Sequence, residues 1–379
     1  MNRTSAVAGT HWAALTGPTG RQFRVLVGDE FDAVGTSLTN LAFRYSDGYA
    51  LLFDLLHEGS TVIDVGAHIG TFALAAASMG CRVIAIEPAP RNVALLRASI
   101  TANGFTNITL IEAAAAASRG RAAFRPDGAF GQITAGSNDE GTVLVDTAPI
   151  ADIMHDLEVS QVDAVKVDVE GAELDALRGM ATLLSAPGRP PLVVEGNDHT
   201  LRSLGHTPTD LLQMTEALGY RNYLIGDHEL APVNPESTQP RCVVDYLALT
   251  KGADRPAGWA LRSQISPREL AAELLAELRT RDPHKIAFVE RMIALSTPDL
   301  MGEWDARTAA AMLSLASSHT PRSDLYANEL GHAELVEPAR SASSLDASRE
   351  EIVEIRARSR AFRYATVDLE RERRARRSA

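Results

Sequence analysis

The chain has 379 residues, of which 45% are hydrophobic and 23% are charged, and its formal net charge is −12. A chain of this length and composition is typical of a globular protein with about two domains. The excess of negative charge argues against a general nucleic-acid-binding protein, because such a protein needs a basic face. No run of about 18 apolar residues occurs and no signal peptide is recognisable at the N-terminus, so we expect a cytoplasmic protein without a membrane-spanning segment.

Residues 1–59 form an N-terminal region that leads into the main domain. Within it, Phe23–Val27 predicts a short strand and Tyr49–Leu56 predicts a helix. From residue 60 to residue 251, short β-branched runs alternate with amphipathic runs, which is typical of a parallel sheet with crossover helices. Five strands of that sheet are predicted at Thr61–Val65, Arg82–Ile86, Ile108–Ile111, Ala164–Val169 and Leu192–Glu195.

Glycine, proline and threonine residues mark the ends of the predicted helices. The helices at Thr71–Met79 and Pro90–Ala102 each stop at a glycine-containing turn, and Thr207 is the predicted N-cap of a third helix. A terminal pair of strands is expected at residues 222–225 and 243–249.

Three segments depart from this regular pattern. Residues 121–145 hold three strand-like pieces, and we expect them to form an inserted hairpin near the edge of the functional site. Residues 252–263 are typical of a linker, and residues 264–379 predict a helical C-terminal extension. We expect this extension to serve in packing or oligomerisation, with docking of a protein partner or closure over the substrate as alternatives.

The strongest signal for function is the segment VIDVGAHIG at residues 62–70. A strand that ends in a glycine turn and leads into a helix forms a ligand site, because Gly66 permits the tight turn and Gly70 permits close approach of helix and ligand. The helix N-terminus then offers free N–H groups to a ligand carboxylate. The residues of this segment that we assign to cofactor binding are Asp64, Gly66, Ala67, His68, Gly70 and Thr71.

Further cofactor residues are predicted after the second and third strands. Glu87 ends the second strand, where a carboxylate can accept both hydroxyls of a ribose. Pro88 follows it and redirects the chain over the pocket. Glu112 and Ala113, directly after the third strand, are assigned to the same site.

The spacing of the first motif distinguishes between a dinucleotide and S-adenosylmethionine as the cofactor. A dinucleotide site has the pattern G-x-G-x-x-G, in which the middle glycine lets the backbone meet the pyrophosphate. Here the pattern is D-x-G-x-x-x-G, and Asp64 suits an ammonium better than a pyrophosphate. S-adenosylmethionine carries an ammonium, a sulfonium, a carboxylate and a ribose but no phosphate, so it is the predicted cofactor. An NAD-dependent oxidoreductase is the disfavoured alternative.

Two segments together resemble the FkbM-type family of class I S-adenosylmethionine-dependent methyltransferases. One runs from Val62 to Phe105 and includes the Glu-Pro pair after the second strand; the other reads DAVKVDVEGAELDALRGM at residues 163–180. The family more often has Asn where this chain has His68. The resemblance covers roughly residues 55–225 and implies a Rossmann-like α/β fold, with a seven-stranded, mostly parallel sheet whose last strand is antiparallel. It also implies methyl transfer to oxygen, often on a sugar, polyketide or similar hydroxylated metabolite.

Three carboxylates, those of Asp168, Glu170 and Glu195, fall at strand ends that face one edge of the predicted sheet. A carboxylate there can take the proton of an acceptor hydroxyl as its oxygen attacks the methyl group, so we assign all three as candidate catalytic residues. His199 is a weaker candidate for this base. No metal ligand is assigned; a divalent cation on Asp168, Glu195 and Asn197 is the lesser alternative.

These features together predict a methyltransferase acting on a hydroxyl of a small molecule, with no nucleic-acid or membrane partner. A homo-oligomer or a protein partner held through the C-terminal helices is left open. The alternative function is a non-catalytic cofactor-binding scaffold that works through its helical tail. The intact set of Asp64, Gly66, Gly70, Glu87 and Asp168 argues against such a loss of activity.

Overall fold

A nine-stranded sheet forms the centre of the described chain. The computed structural model describes residues 9–28, 33–39, 43, 45–126, 131–134, 141–226, 228–236, 243–253 and 255–261. The helical extension predicted at residues 264–379 lies outside these residues. Within them, none of the helices combines the length and the apolar character needed to cross a bilayer.

Fifteen strands and nine helices lie in this part of the chain. The strands are β1 Thr10–Thr16, β2 Gln22–Gly28, β3 Thr61–Val65, β4 Arg82–Ile86, β5 Ile108–Ile111, β6 Ala114–Ala115, β7 Gly120–Arg125, β8 Gln132–Ile133, β9 Val143–Ala148, β10 Ala164–Val167, β11 Leu192–Asn197, β12 Tyr220–Gly226, β13 Glu229–Pro232, β14 Val243–Thr250 and β15 Ala260–Leu261. The helices are α1 Ala33–Thr39, α2 Asp47–Leu55, α3 Thr71–Ser78, α4 Pro90–Asn103, α5 Ile150–Asp156, α6 Glu173–Gly179, α7 Ala181–Ser185, α8 Asp198–Ser203 and α9 Pro208–Ala217.

The order of the strands confirms the predicted class I methyltransferase sheet. Across the sheet they follow the order β15-β13-β12-β14-β11-β10-β3-β4-β5. The pairs β11–β10, β10–β3, β3–β4 and β4–β5 are parallel, whereas β14 is antiparallel to both of its neighbours. The seven strands from β12 to β5 are therefore the expected sheet, and β13 and β15 extend its edge beyond the prediction.

The chain reverses its direction of progress across the sheet between β3 and β10. From β3 it moves outward to β4 and β5, and after β10 it moves the other way to β11. Two loops leave opposite faces at such a point and open a crevice beside the carboxyl ends of the strands, which is where open parallel sheets bind ligands. The topology alone thus places the site at the ends of β3 and β10.

The N-terminal region packs into the same hydrophobic core as the sheet. β1 and β2 form an antiparallel hairpin, of which only β2 was predicted. Phe23 and Val25 of β2 belong to one buried cluster with Leu51 of α2 and Phe72 of α3. Because α2 is held in this way, its residue Tyr49 reaches the carboxyl ends of the central strands.

The segment predicted as an inserted hairpin forms a second, four-stranded sheet. Its order is β6-β9-β7-β8, and β7 pairs antiparallel with both β9 and β8. Phe124 of β7 lies opposite Ile133 of β8. These two apolar side chains face the functional site described below.

One strand is shorter than predicted, and the difference bears on the site. The fourth strand was expected to reach Val169, but β10 ends at Val167. Glu170 and Gly171 both have positive φ, of 50° and 103°. This left-handed backbone cannot continue a strand, so Asp168 begins a turn rather than ending the strand.

Candidate functional site

A cleft opens at the carboxyl ends of β3, β4 and β10. It comprises about 780 Å³ of space, part of which is open solvent. One wall comes from the N-terminal region and another from the inserted sheet. The predicted site residues that line the cleft are Gly66, His68, Thr71, Glu87, Pro88, Ala113, Asp168 and Glu170. The residues Asp64, Ala67, Gly70, Glu112 and Glu195 do not line it.

The turn after β3 fits against the end of β10. Gly66 has a φ of 81°, and a Cβ atom on it would lie 1.8 Å from the carbonyl oxygen of Asp168. The N–H groups of Gly66 and Ala67 both donate to the carbonyl oxygen of Ile86, at 2.9 and 3.0 Å. Only glycine combines this backbone conformation with this close approach, so Gly66 sets the distance between two strand ends of the site.

His68 lies at the floor of the cleft in a left-handed conformation, with a φ of 51°. Among residues other than glycine, Asn, Asp and His adopt this conformation most readily. This explains why His can stand where the resembling family more often has Asn. The backbone N–H of His68 donates to Glu87 Oε2 at 2.8 Å.

Glu87 is almost completely buried, with 4% of its surface exposed, and it lines the cleft. Besides His68, the N–H of Ala89 donates to its Oε1 at 2.9 Å, and Asn92 Nδ2 donates to the same atom at 3.2 Å. Burial raises the pKa of Glu87, while the His68 charge and these donors oppose that rise. The donors hold the carboxylate in one orientation at the cleft wall, as a ribose ligand requires. Asn92 was not recognised in the sequence.

The third strand contributes only one of its two predicted residues to the cleft. Ala113 lines the cleft, beside Ala114, Phe124 and Ile133. Glu112 is exposed instead and forms an ion pair with Arg97. This wall is apolar and suits the flat face of a nucleobase better than a charged group.

Lys166 connects the first motif to the end of β10. Its Nζ atom lies 3.2 Å from Asp64 Oδ1 and 3.3 Å from Asp168 Oδ2, and it donates to the carbonyl oxygen of Gly66 at 3.1 Å. Burial alone would lower the pKa of Lys166, but the two carboxylates raise it well above its ordinary value. The ammonium beside Asp64 is thus that of Lys166, because Asp64 is fully buried behind the cleft wall.

Tyr49 also belongs to the site, although the sequence analysis did not assign it. It lines the cleft, and the Lys166 ammonium lies 5.7 Å from the centre of its ring. Burial raises the pKa of its hydroxyl group. No motif marks this tyrosine; it belongs to the N-terminal region, and only the packing of α2 brings it to the cleft.

The three candidate catalytic carboxylates meet at one point. One oxygen atom of each of Asp168, Glu170 and Glu195 lies within 4.8 Å of the other two. Burial raises the pKa values of Glu170 and Glu195 well above the ordinary range, and repulsion from Asp168 raises them further. Asn197 Nδ2 donates to Glu170 Oε2 at 3.4 Å. His199 is exposed and lies outside the cleft lining.

Two further acidic residues, Glu173 and Asp245, lie near this trio. Glu173 is fully buried; burial raises its pKa to about 7, although the N–H groups of Gly171 and Val169 donate to its Oε1. Asp245 of β14 pairs in register with Glu195, and burial raises its pKa to about 6. Asp245 is the only charged residue in the otherwise apolar run VVDYLAL. That isolated charge was the signal by which the sequence could have revealed it.

Comparison with known proteins finds a family that matches most of the residues of this site. Residues 64–222 match the methyltransferase FkbM domain family. The hexuronic acid methyltransferase AglP of Haloferax volcanii is 31% identical over 140 residues, which make up 37% of this chain and 58% of that protein. The chain therefore spans somewhat more than half the length of this curated relative.

The matches among solved structures show much lower identity. Precorrin-6y C5,15-methyltransferase from Geobacter metallireducens GS-15 matches with a TM-score of 0.34 and 17% identity, covering 54% of this chain and 87% of that one. A TehB-like SAM-dependent methyltransferase from Corynebacterium glutamicum matches with a TM-score of 0.33 and 12% identity, covering 56% and 92%.

The matched residues contain both motifs of the cleft, from Asp64 through the block that holds Lys166, Asp168, Glu170 and Glu173. The cofactor of this domain is S-adenosylmethionine. Over residues 64–222 the chain is thus similar to the FkbM family of methyltransferases.

Proposed function

We propose that the protein transfers a methyl group from S-adenosylmethionine to a hydroxyl oxygen of a small hydroxylated molecule, a sugar or sugar acid in the first instance. The observation that carries this proposal is one cleft with two unlike ends. Glu87 and an apolar wall lie at one end, and the carboxylates of Asp168 and Glu170 lie at the other. The relative named as a hexuronic acid methyltransferase supports a sugar as the acceptor.

At the nucleoside end, each residue has a binding role. Glu87 accepts hydrogen bonds from the ribose hydroxyls, since its carboxylate is already fixed by three N–H donors. The turn through Gly66 and His68, with Thr71 at the start of α3, forms the floor for the methionine tail. The apolar wall that includes Ala113 and Phe124 receives the adenine.

At the acidic end, the chain positions the acceptor and takes its proton. The bound cofactor supplies an electrophilic methyl group on its sulfonium. Asp168 faces the cleft and is held by Lys166, so it is the first candidate for the base that accepts the hydroxyl proton as the new C–O bond forms and the C–S bond breaks. Glu170, which also faces the cleft, and Glu195 behind it are the other candidates.

The first experiment is calorimetric titration of the full-length protein with S-adenosylhomocysteine, with NAD as the control ligand. We expect micromolar binding of S-adenosylhomocysteine alone. Transfer from S-adenosylmethionine carrying a labelled methyl group would then be measured on hexuronic acids, neutral sugars and polyketides, and the methylated atom identified by NMR. Binding of NAD in its place, or methylation at nitrogen or carbon, would overturn the proposal.

The role of Asp168 is tested separately. Asp168→Asn should lower turnover by at least about a hundredfold, the usual contribution of a positioned base, while changing the melting temperature little. A loss of turnover that comes with a large fall in melting temperature would mean that the role of Asp168 is structural.

A further inference from the structure

Beyond the cofactor, the three carboxylates at the acidic end form a distinct feature. Asp168 and Glu170 come from the turn after β10, and Glu195 comes from β11, the neighbouring strand. Their nearest oxygen atoms lie within 4.8 Å of one another. Three oxygen atoms from three carboxylates at this spacing can bind one small cation in common.

Of these three carboxyl groups, only that of Asp168 forms an ion pair within the described residues. Lys166 pairs with Asp64 and Asp168, and the structure shows no ion pair of Glu170 or Glu195 within the residues it describes. Glu170 is only 8% exposed. Burying carboxylates together without a counter-charge is unfavourable, so Glu170 and Glu195 must either hold a proton or share a cation.

An independent sign of a missing partner is the Glu195 side chain. Its Oε2 atom is buried, and within the described residues it has no hydrogen-bond partner. A buried polar atom without a partner costs about 1–3 kcal/mol, and native proteins rarely leave one in that state. Glu195 does not line the cleft, so the acceptor does not supply this partner directly.

The backbone around the trio is fixed. Gly171 has a φ of 103°, and a Cβ atom on it would lie 2.3 Å from the carbonyl oxygen of Thr200. The turn after β10 is thereby held against α8, which follows β11. Asn197 bridges the same two elements, because its Nδ2 atom donates to Glu170 and its Oδ1 atom accepts from the N–H of His199. The backbone that carries Asp168 and Glu170 is consequently held against the end of β11 and the start of α8.

We propose that Asp168, Glu170 and Glu195 bind one divalent cation of the oxygen-preferring type, Mg²⁺ or Mn²⁺. Such cations prefer carboxylate oxygen ligands and retain several water ligands. Asp168 and Glu170 face the cleft, so a cation held by them would be reachable by the acceptor. The role of the cation rests on the proposed function: an acceptor hydroxyl bound to the cation would lose its proton more readily, and the proton would pass to water in the cleft.

The test is an electron paramagnetic resonance titration of the EDTA-dialysed, full-length protein with Mn²⁺. Without cofactor or acceptor present, we expect one Mn²⁺ per chain, displaced by excess Mg²⁺. Glu195→Gln and Glu170→Gln should each weaken Mn²⁺ binding by at least about tenfold. The matched control is Asp156→Asn, which removes an exposed carboxylate that pairs with Arg119, and it should leave Mn²⁺ binding unchanged.

The outcomes separate this proposal from the proposed function. Absence of Mn²⁺ binding, or binding that Glu195→Gln and Glu170→Gln leave as strong as in the parent, overturns the cation site. Circular dichroism of each variant checks its fold, and either variant alone decides the question where the other does not fold. S-adenosylhomocysteine is titrated into the same samples. Its failure to bind overturns the proposed function, whereas the Mn²⁺ titration alone decides the cation site.

Discussion

Both ends of the cleft hold a buried carboxylate, Glu87 at the nucleoside end and Glu195 at the acidic end, but only in Glu87 do both oxygen atoms receive hydrogen bonds from the described chain. Glu87, at the nucleoside end, is 4% exposed and receives hydrogen bonds from three N–H donors. Glu195, at the acidic end, has an oxygen atom that is equally hidden from solvent but has no donor within the described residues. Both residues were predicted to be acidic side chains at the end of a parallel strand, but Glu195 lies within β11, which continues to Asn197.

The nucleoside end is therefore preorganised for its ligand, whereas the acidic end is not. The carboxylate of Glu87 is oriented before any ligand arrives, so binding a ribose costs little reorganisation. In the trio of Asp168, Glu170 and Glu195, only Asp168 pairs with a lysine, so Glu170 and Glu195 need a proton or a cation to be stable when buried. Mutations at the nucleoside end should therefore change the affinity for the cofactor. Mutations at the acidic end should change the ionisation of the carboxyl groups.

The largest effect is expected where the two ends touch, at Gly66. Gly66→Ala places a Cβ atom 1.8 Å from the Asp168 carbonyl oxygen and forces a non-glycine residue to a φ of 81°. We expect the free energy of unfolding to fall by at least about 3 kcal/mol, since backbone rather than a flexible side chain must move. Urea denaturation measures this loss.

A second glycine serves as a matched control, because it separates the cost of the left-handed conformation from the cost of a steric clash. Gly104 also has a positive φ, of 66°, but a Cβ atom there meets nothing within 4 Å. Gly104→Ala should cost only the left-handed conformation, about 1–2 kcal/mol. Equal losses for the two variants would show that contact with Asp168 is unimportant, and the two ends would then be independent.

The next largest effect is expected from Glu87→Ala. It removes the carboxylate that we assign to the ribose hydroxyls, so the affinity for S-adenosylhomocysteine should fall by roughly 2–4 kcal/mol in binding free energy. Calorimetry measures the affinity. The variant also leaves three N–H donors without their acceptor, so some stability should be lost as well.

A ligand change isolates the ribose contact from that loss of stability. The parent protein should bind a 2′-deoxy analogue of S-adenosylhomocysteine more weakly than S-adenosylhomocysteine itself. Glu87→Ala should bind the two ligands alike, because the partner of the missing hydroxyl is gone. A preference that survives in the variant would place the ribose elsewhere.

Much of the nucleoside end follows from local sequence. At the acidic end the sequence predicted the three carboxylates of Asp168, Glu170 and Glu195 but not all of the residues around them. Strands β3, β4 and β5 were predicted with their observed bounds, and Gly66, His68 and Glu87 lie where a turn and a strand end put them. These features depend on neighbouring residues and on the regular alternation of strand and helix.

The acidic end depends on contacts between segments that are distant in sequence. Tyr49 reaches it from a helix 117 positions before Lys166, and Asp245 reaches it through antiparallel pairing with Glu195. Glu112 shows that a correctly predicted strand does not determine where the next side chain points. It lies directly after a correctly predicted strand, yet its side chain points to Arg97 and not into the cleft.

Glu173 offers a pH test of the acidic end. Burial raises its pKa to about 7, so the folded protein keeps a proton that the unfolded chain releases above its ordinary pKa near 4.5. Stability should therefore fall as the pH rises from 4.5 to 7, by up to about 3 kcal/mol. Glu173→Gln removes this titration but keeps an oxygen for the N–H groups of Gly171 and Val169.

The measurement is urea denaturation in EDTA-containing buffer at pH 5 and pH 8. The variant should gain stability relative to the parent at pH 8 and much less at pH 5. Contributions from the other buried carboxylates are shared by both proteins and largely cancel in the difference. The same difference at both pH values would show that Glu173 does not titrate in this range.

The smallest effect is expected at His68, on the floor of the nucleoside end. His68→Asn keeps a residue that tolerates a φ of 51° and keeps the backbone N–H that donates to Glu87, so stability should change by less than about 0.5 kcal/mol. His68→Ala, the matched variant, should lose about 1–2 kcal/mol, because Ala enters this conformation at a cost. An expected loss in His68→Asn is the imidazole charge, which lowers the pKa of Glu87. Denaturation and S-adenosylhomocysteine binding are measured for both variants. If Asn is as damaging as Ala, the imidazole itself makes a contact that the backbone conformation does not explain, and the nucleoside end is less complete than its three N–H donors indicate.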